Sequence, residues 1–487
     1  MSDMDHNHQH APNRFAVIPT HVRLHANPNY TGKGVTIAFL DSGFYPHPDL
    51  VDRVLAYNDL AGERPSLLAS DPVESWQWHG TQTSVAAAGN GHLSDGLYSG
   101  LAHESKLVLV KVSERGRITE ENIARGIRWV IANRERYDIR VLNISLGGDE
   151  DVPCSQSIID QAAEEAIGEG IVVVVAAGNS GGDGHHSIPP ANSPSVITVG
   201  GYSDNNQLNG NELGLYHSNF GVTADGTVKP EIVAPAMWVA APVLPGTRLY
   251  ERAEALSRLA TAPDYELPSL VRELEEAAEL PEQLVRSSAT EIRSYIEAAL
   301  MQLKIVAAHY QHVGGTSFAA PIVTSIVAQM IEANPKLTPG AIKNILISTA
   351  RRIATESVIR QGYGVVNATR AVELAKTEQH TLNVVGCKPP RVENGRLLFV
   401  FHDDDAKSVA VAGDFNGWDQ LATPLKRNGS GLWSTEIIAP QSGRFEYKFV
   451  VDENRWVEDP SHGMKTPDNY GGLNSVIVLT TDYTDIF

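Results

Sequence analysis

Short apolar segments alternate with helical patterns over the first two thirds of the chain, and this alternation restricts the fold more than any other feature. The apolar segments are rich in Val and Ile and have no polar face, which is typical of strands buried in a parallel sheet. They span residues 35–41, 107–112, 141–146, 171–177 and 196–201. Strands that alternate with helices predict an α/β fold with a doubly wound, mostly parallel sheet. In such sheets ligands bind at the carboxyl ends of the strands.

Residues 247–308 interrupt this alternation with helical periodicity and no strand pattern. We therefore expect an all-helical insertion of about 247–308 within a domain that spans 25–376. Ser288 and Glu291 have the spacing of a capping box, which marks the start of the longer helix. The apolar face predicted for that helix is Ile292, Tyr295, Ala299, Leu303 and Val306. The pattern is equally compatible with a lid, a regulatory arm or a dimer surface, and with an ornament packed on the outside.

The two ends of the chain have different patterns. Residues 1–24 are a polar N-terminal tail, and three histidines in it are interpreted as incidental: His6, His8 and His10. Residues 377–395 contain paired prolines and no periodicity, which is typical of a linker. Residues 396–487 alternate in short strands with turn signals, which predicts a small Ig-like β-sandwich.

Length, charge and cysteine content exclude several classes of protein. A chain of 487 residues is long enough for two or three domains. The net charge of −19 argues against nucleic acid or an anionic membrane as a partner. The cysteines Cys154 and Cys387 are too few for a disulfide framework. We see no segment with the ~18 apolar residues of a membrane span and no signal peptide. We therefore expect a cytoplasmic protein.

Four polar residues lie at predicted strand ends or helix starts. Asp41 ends the first buried strand in "AFLDSG", and His79 lies in "WHGTQTS" before a run of small residues. Asn179 follows the strand "IVVVVAA", and Ser317 begins a helix after "HVGGT". A serine hydroxyl becomes a nucleophile when a nearby base takes its proton and a third group orients that base. The set therefore predicts nucleophilic catalysis at one edge of the sheet.

The segments "VTIAFLDSGFYPHPDL", "WHGTQTSVAAAGNG", "ISLGG", "VVVVAAGNSG" and "GGTSFAAP" resemble the subtilisin-like serine proteases (S8 family) over about residues 25–375. The resemblance implies a serine endopeptidase that acts on protein or peptide substrates. Ser317 would attack the scissile carbonyl, His79 would take its proton, and Asp41 would orient the imidazole and stabilise its cation. The side-chain amide of Asn179 and the backbone N–H of Ser317 would bind the oxyanion.

The same resemblance implies where a substrate would bind. An extended peptide would add as a strand to the edge formed by Ser145, Leu146 and Gly147. The backbone around Ala177 and Gly178 would line the specificity pocket. The nucleophile does not lie in a Gly-x-Ser-x-Gly motif, which excludes the α/β-hydrolase class.

The chain departs from the family pattern at a few positions. Gln82 stands where the family commonly has a second histidine, and we expect this to be tolerated because that residue lies outside the triad. No cofactor is expected to be needed for catalysis. The loop "GNGHLSDGLYSG" offers Asn90 and Asp95 as oxygen donors for a structural Ca²⁺ ion, but it matches the family too loosely to assign a site, so the metal sites stay unknown. Only 40 residues precede Asp41, too few for the propeptide of secreted members, so we expect either a member of the intracellular branch or a precursor that lacks its pro-region.

The segments "VAVAGDFNGWD", "FEYKFVVDENRWVEDP" and "DNYGGLNSVIVL" resemble the starch- and glycogen-binding β-sandwich (CBM48 type) of branching enzymes and AMP-activated kinase β subunits, over about residues 396–480. The resemblance implies that Trp418 and Trp456 stack on glucose rings while Lys448 and Asn474 bind hydroxyl groups. The alternative is a purely structural sandwich with its tryptophans in the core.

Taken together, the motifs predict a serine endopeptidase whose C-terminal module targets it to α-glucan. The alternative is a catalytically silent scaffold that binds peptides or α-glucan, and the presence of all four predicted site residues argues against it. A glycan-processing hydrolase lacks support because no carboxylate pair is specified.

Overall fold

The computed structural model describes residues 17–62, 66–67, 73–148, 152–181, 187–208, 213–378, 390–393, 395–428, 431–440, 443–462, 465–468, 470 and 472–479. The helices are α1 (Thr20–Arg23), α2 (Gln77–Ala88), α3 (Glu120–Ala132), α4 (Arg134–Tyr137), α5 (Ile158–Gly168), α6 (Arg248–Thr261), α7 (Leu267–Glu273), α8 (Ala289–Gln302), α9 (Thr316–Ala333), α10 (Pro339–Thr349), α11 (Val358–Gln361) and α12 (Ala368–Thr377). The strands are β1 (Thr36–Asp41), β2 (Val54–Asp59), β3 (Lys106–Lys111), β4 (Ile139–Ile144), β5 (Val172–Ala176), β6 (Ile197–Ser203), β7 (Gly214–Leu215), β8 (Gly221–Val222), β9 (Val228–Lys229), β10 (Ile232–Pro235), β11 (Val239–Pro242), β12 (Ile305–Ala307), β13 (Tyr310–Val313), β14 (Arg391–Glu393), β15 (Arg396–His402), β16 (Val409–Gly413), β17 (Lys426–Arg427), β18 (Leu432–Ile438), β19 (Gly443–Val451), β20 (Arg455–Val457), β21 (Lys465–Pro467) and β22 (Leu473–Leu479). The histidines at 6, 8 and 10, Cys387 and most of the predicted linker lie outside the described residues.

A parallel sheet forms the centre of the first domain. Its strand order is β10-β6-β5-β4-β1-β3-β2, every neighbouring pair on this path is parallel, and β7 pairs antiparallel with β6. Helices α2, α9, α10 and α12 contribute to the core on one face, and α3 and α5 contribute to the core on the other. The predicted α/β class with a doubly wound parallel sheet is confirmed.

Burial on both faces explains the sequences of the central strands. In β1, Ile37 and Phe39 belong to one core while Ala38 and Leu40 belong to the other. A strand with this environment has no polar face, because successive side chains point to opposite sides of the sheet. All five predicted apolar segments form strands of this sheet.

Two strands of the parallel path, and the two-residue antiparallel strand β7, are not predicted by the sequence patterns. β2 lies at the edge, where its residues are partly exposed, and β10 has only four residues and ends at Pro235. Neither has the long, continuous apolar run that marks a central strand.

Helix α9 is long and apolar enough to cross a membrane, although the sequence analysis predicted no such segment. Its 18-residue window, however, is 83% buried inside the protein. It packs against α2 and α12 and against strands β4, β5, β6 and β10. Burial in the centre of the fold therefore accounts for its apolar composition.

The insertion extends from a hairpin. Strands β11 and β13 pair antiparallel, β12 pairs with β13, and α6, α7 and α8 lie between β11 and β12 with an apolar core of their own. The capping box is confirmed: Ser288 Oγ accepts from Glu291 N at 3.3 Å, and Glu291 Oε2 accepts from Ser288 N at 2.7 Å. The prediction that the helix continues to Val306 is wrong. Helix α8 ends at Gln302, and Lys304 has a φ of 58°, which stops helix propagation before the β-branched pair of β12.

The predicted N-terminal tail of 1–24 is too long, because its last residues belong to the fold. Val17 is buried, and the guanidinium of Arg23 forms two 2.8 Å bonds to the Asp204 carboxylate. Arg23 also donates to the carbonyls of Met237 and Trp238. This buried ion pair was not visible in the sequence because its partners are separated by 181 residues.

The C-terminal domain consists of two antiparallel sheets. Their orders are β14-β15-β18-β17 and β16-β19-β22-β21, with β20 paired to β19. The predicted β-sandwich is confirmed. Its core includes the aromatic side chains of Phe399, Phe401, Trp433, Tyr447 and Phe449.

This domain begins earlier than its predicted first residue and contacts the first domain. β14 (Arg391–Glu393) pairs with β15 inside the segment predicted as linker, and Gly395 in the connecting turn has a φ of 70°. An Asn-Gly pair at 394–395 is a hairpin signal that the linker interpretation overlooked. Between the domains, the backbone N–H of Lys465 donates to the hydroxyl of Tyr363.

One buried hydrogen bond joins the hairpin of the insertion to the main domain. Tyr310 Oη on β13 donates to Asp49 Oδ2 at 2.6 Å, and both residues are fully buried. We expect Tyr310→Phe to lower the free energy of unfolding by about 1–3 kcal/mol, because a buried carboxylate loses a donor. Urea denaturation measures this loss. Tyr295→Phe is the matched control, since the Tyr295 hydroxyl is 3.4 Å from the Glu279 carbonyl, and an equal loss in both variants would contradict the prediction.

Candidate active site

Asp41 is the last residue of β1, and its carboxylate is fully buried at the carboxyl edge of the sheet. Asp41 Oδ1 accepts from Ser42 N at 2.7 Å and lies 2.8 Å from His79 Nδ1, while Thr83 Oγ1 lies 3.1 Å from Asp41 Oδ2. Position 43 requires glycine, because a Cβ on Gly43 would lie 2.1 Å from the Trp76 ring. The carboxylate is therefore held in one orientation by several donors.

His79 is the third residue of α2, whose first turn crosses the end of β1 at very short range. A Cβ on Gly80 would lie 2.3 Å from the Gly43 carbonyl and 2.9 Å from Asp41 Cβ, so only glycine permits this approach. Because a carboxylate only accepts, His79 Nδ1 donates the hydrogen in this pair. The neutral ring then carries its lone pair on Nε2, which is the arrangement that a general base requires.

The surroundings of His79 act on its pKa in opposite directions. Burial lowers the pKa, whereas the charge of Asp41 and its hydrogen bond raise it, and the net shift is upward from the ordinary value of 6.5. The carboxylate thus stabilises the imidazolium that forms when the ring takes a proton.

Ser317 is the second residue of α9, and its side chain is partly exposed. The ring of the next residue, Phe318, lies 6.2 Å from the His79 ring, centroid to centroid, so the imidazole lies beside the first turn of α9. Gly315 precedes the helix with a φ of 137°, a conformation that few other residues adopt. In this turn Phe318 N donates to the Gly315 carbonyl at 3.0 Å, and the start of a helix favours negative charge.

Asn179 follows β5, and its amide is oriented by a single neighbour. Asn179 Oδ1 accepts from Thr316 N at 2.9 Å and from Thr316 Oγ1 at 3.0 Å, and Gly178 N donates to the same hydroxyl at 3.1 Å. Because the amide oxygen takes both bonds, the Nδ2 hydrogens are the part of this exposed side chain that is left for a ligand.

The five predicted substrate-binding positions follow two neighbouring strands, β4 and β5. Ser145 is buried, Leu146 is partly buried and Gly147 is exposed, so the segment becomes accessible as it leaves the sheet. Ala177 is buried, and Gly178 has a φ of 101°. Since β4 and β5 are paired in parallel, their carboxyl ends bring the two segments to the same edge.

The departures from the family pattern have structural explanations. Gln82 is buried in α2 and its Nε2 donates to the Pro242 carbonyl at 2.8 Å, which ties α2 to β11. In the loop considered for calcium, Asn90 Oδ1 accepts from His92 N at 3.0 Å, and Asp95 has a φ of 49°. Within the described ranges no group of three or more His, Cys, Asp and Glu side chains could hold a metal ion. The calcium site stays a prediction without geometric support.

Three of the positions predicted to bind sugar, Lys448, Trp456 and Asn474, lie on strands of one sheet of the sandwich, and Trp418 lies in the loop after β16 of that sheet. The rings of Trp418 and Trp456 lie 6.4 Å apart, and Trp456 is 41% exposed. The Lys448 ammonium is paired with Asp468, and Asn474 Nδ2 donates to a Glu446 oxygen at 2.8 Å. The two polar side chains are therefore held by carboxylates, and the tryptophans are not core residues.

Comparison with known families identifies both domains. Residues 32–366 match the model of the subtilase family, and residues 397–485 match the family described as the glycogen recognition site of AMP-activated protein kinase. The first match covers more than half of the chain, so the protein belongs to the subtilase family. It is a subtilisin-like serine endopeptidase with a C-terminal domain of the glycogen-recognition family.

Two proteases and one solved structure are similar to parts of this chain. The serine protease AprX of Bacillus subtilis (strain 168) is 32% identical over 350 residues, which is 70% of this chain and 67% of that protein. Subtilisin E of the same organism is 35% identical over 190 residues, which covers 38% of this chain and only 45% of that protein. A solved structure of a protease from Pseudoalteromonas arctica PAMC 21717 is 24% identical, covers 74% of this chain and 95% of that one, and has a TM-score of 0.49.

Sequence reasoning missed the residues that orient the predicted site. Ser42 and Thr83 bind the Asp41 carboxylate, and Thr316 holds the amide of Asn179. Thr83 lies four residues after His79, which places the two on the same face of a helix, and Thr316 directly precedes Ser317. These positions relative to predicted residues are the signal that could have identified both threonines.

The opposing effects on His79 predict how its pKa responds to Asp41→Asn. The charge that raises the pKa is lost while burial remains, so the imidazole pKa should fall from above 6.5 to below it. Histidine NMR titration of wild type and variant measures both values, with the His79 signal assigned by His79→Ala. His312, whose pKa is lowered by its own burial, is the internal control. An unchanged His79 pKa in Asp41→Asn would show that the carboxylate does not set it.

Proposed function

We propose that this endopeptidase cleaves peptide bonds with Asp41, His79 and Ser317 as its catalytic triad and Asn179 in its oxyanion hole. The observation that carries the proposal is the 2.8 Å contact between His79 Nδ1 and the buried Asp41 carboxylate, at a point where the imidazole lies beside the first turn of α9. A buried aspartate, an oriented imidazole and a serine at a helix start together make a nucleophilic site.

In the proposed reaction, Ser317 Oγ attacks the carbonyl carbon of the scissile bond as His79 Nε2 takes the hydroxyl proton. Asp41 stabilises the resulting imidazolium. The Ser317 N–H and Asn179 Nδ2 then donate to the oxyanion of the tetrahedral intermediate. His79 returns its proton to the leaving amine, and water repeats the sequence on the acyl-enzyme. None of these steps requires a metal ion or another cofactor.

The substrate would be an extended segment of protein or peptide. Its backbone would pair with Ser145, Leu146 and Gly147, and the side chain before the scissile bond would lie against the backbone of Ala177 and Gly178. The support is the shared position of the two segments at the carboxyl ends of β4 and β5. Main-chain pairing of this kind supplies affinity with little dependence on sequence.

The second domain would attach the peptidase to α-glucan. Trp418 and Trp456 would stack on the apolar faces of glucose rings, while Lys448 and Asn474 bind hydroxyl groups. The support is the 6.4 Å distance between the two tryptophan rings, one of which lies on the sheet that carries the two held polar side chains.

We also propose a cytoplasmic location, in line with the composition. The support is the presence of only two cysteines, far apart in the sequence and too few for a disulfide framework, and the acidic net charge, which disfavours anionic membranes and nucleic acids as partners. Recovery of the protein from the extracellular fraction of its host would contradict this location.

Labelling by a fluorophosphonate probe tests the triad and separates the endopeptidase from a silent scaffold. The probe reacts with an activated serine, and fluoride leaves. Wild type should be labelled, Ser317→Ala should not, and His79→Ala should be labelled at least about 10³-fold more slowly because the base is lost. Asn179→Ala should keep labelling while kcat falls by about 10²–10³-fold, a magnitude measured for such a donor in a subtilisin.

Unlabelled but folded wild type would contradict the proposed triad and favour the scaffold. Labelling that persists in Ser317→Ala would assign the nucleophile to another residue. Ser325→Ala is the matched control, because Ser325 is a fully buried serine of the same helix that bonds to the Ile322 carbonyl.

Retention on immobilised amylose tests the glucan proposal. Trp418→Ala combined with Trp456→Ala should abolish retention, because both stacking platforms are lost at about 1 kcal/mol or more each, and peptidase activity should stay unchanged. Tyr265→Ala is the matched control, since Tyr265 is an 82% exposed aromatic residue of the insertion. A wild-type protein that is not retained would make the sandwich a structural domain.

A further inference from the structure

Helix α9 contains a proline one turn after the proposed nucleophile. In a regular helix the N–H of residue 321 would donate to the carbonyl of Ser317, four residues earlier. Pro321 has no N–H and therefore leaves that carbonyl without its helical partner. The carbonyl instead accepts from the hydroxyl of Ser145, at 3.1 Å.

The direction of this bond is fixed by a chain of side chains behind it. Thr324 Oγ1 donates to Asn143 Oδ1 at 2.9 Å, and Asn143 Nδ2 donates to Ser145 Oγ at 3.2 Å. Since Ser145 Oγ accepts from Asn143, its own hydrogen is the one that bonds to Ser317. All three side chains of the chain are buried, so water does not compete with the arrangement.

The same serine lies at the start of the proposed substrate-binding segment. Asn143 belongs to the end of β4, and Ser145 directly follows that strand. Ser145 therefore connects the segment that would pair with substrate directly to the main chain of the nucleophile.

We propose that Ser145 is a positioning residue that holds the nucleophile in register with the substrate by replacing the hydrogen bond that Pro321 removes. This inference rests on the proposed role of Ser317. The Ser317 carbonyl is part of the peptide group that follows the nucleophile, so its direction sets the backbone angle from which Oγ projects. A nucleophile displaced by a fraction of an ångström leaves the attack geometry while substrate still binds.

A double-mutant cycle between Ser145→Ala and Pro321→Ala tests the proposal. Ser145→Ala should lower kcat by about tenfold or more, with KM nearly unchanged, because it removes positioning and not binding. Pro321→Ala restores an N–H that can donate to the Ser317 carbonyl. In that background the same Ser145→Ala change should cost less than about threefold, which is the non-additivity expected when two groups share one function.

The measurements are kcat and KM on one peptide substrate, with the concentration of competent enzyme taken from fluorophosphonate titration. This normalisation removes any effect of unfolded protein. Ser325→Ala should leave kcat unchanged, because its hydroxyl bonds within the helix at 2.6 Å and away from Ser317. A wild type that reacts with neither probe nor substrate would overturn the proposed function itself. The positioning role, in contrast, is tested by comparing variants of an active wild type.

Two results would overturn the positioning role. An unchanged kcat in Ser145→Ala, even with reduced stability, would show that the bond is only structural. An equal loss from Ser145→Ala in both backgrounds would show that it does not replace the bond missing at Pro321.

A second pair of variants tests the same chain if Pro321→Ala does not fold. Thr324→Val removes the hydroxyl that orients Asn143 and keeps the shape of the side chain. Thr324→Val should lower kcat, and its combination with Ser145→Ala should cost no more than Ser145→Ala alone. Additive losses would contradict the proposal.

Discussion

The burial of helix α9 is the constraint on which the rest of the structure depends. Its apolar residues pack against the central sheet, α2 and α12. Its first turn emerges at the carboxyl edge, where β1 ends at Asp41 and where Ser145 and Asn179 follow β4 and β5. The site thus arises because one buried helix has to begin where several buried strands stop. The packing of α2 on α9 brings His79 to the same place.

The parts of the fold that could be predicted are those where burial is complete. Strands β1 and β3 to β6 are apolar on both faces and are recognisable as continuous apolar runs, and polar residues such as Asp41, Ser145 and Asn179 stand out at or after their ends. The edge strand β2 and the short strand β10 lack that contrast. The end of the last helix in the insertion was also mispredicted. The helical spacing of apolar residues continues past Lys304, although the backbone leaves the helical conformation there.

The contacts that orient the site could not be predicted, because they join residues far apart in the chain. Ser145 meets Ser317 across 172 positions, and Asn143 meets Thr324 across 181. Thr316 meets Asn179 across 137. Each of these residues is of a common polar type, and the residues next to it in the sequence do not indicate which partner it will bind. The motif residues were recognisable by resemblance, whereas the geometry that would make them reactive depends on partners that only the folded chain brings together.

The insertion leaves and rejoins the main domain through neighbouring strands, since Pro242 is paired with Tyr310 across the β11–β13 ladder. The cost of closing a chain between two points that are already adjacent grows only slowly with its length. The helices between them, which bury their own apolar side chains, therefore add little to the burden of folding the domain. Such a junction allows the segment to be shortened, enlarged or exchanged in evolution while the sheet, α2 and α9 keep their places.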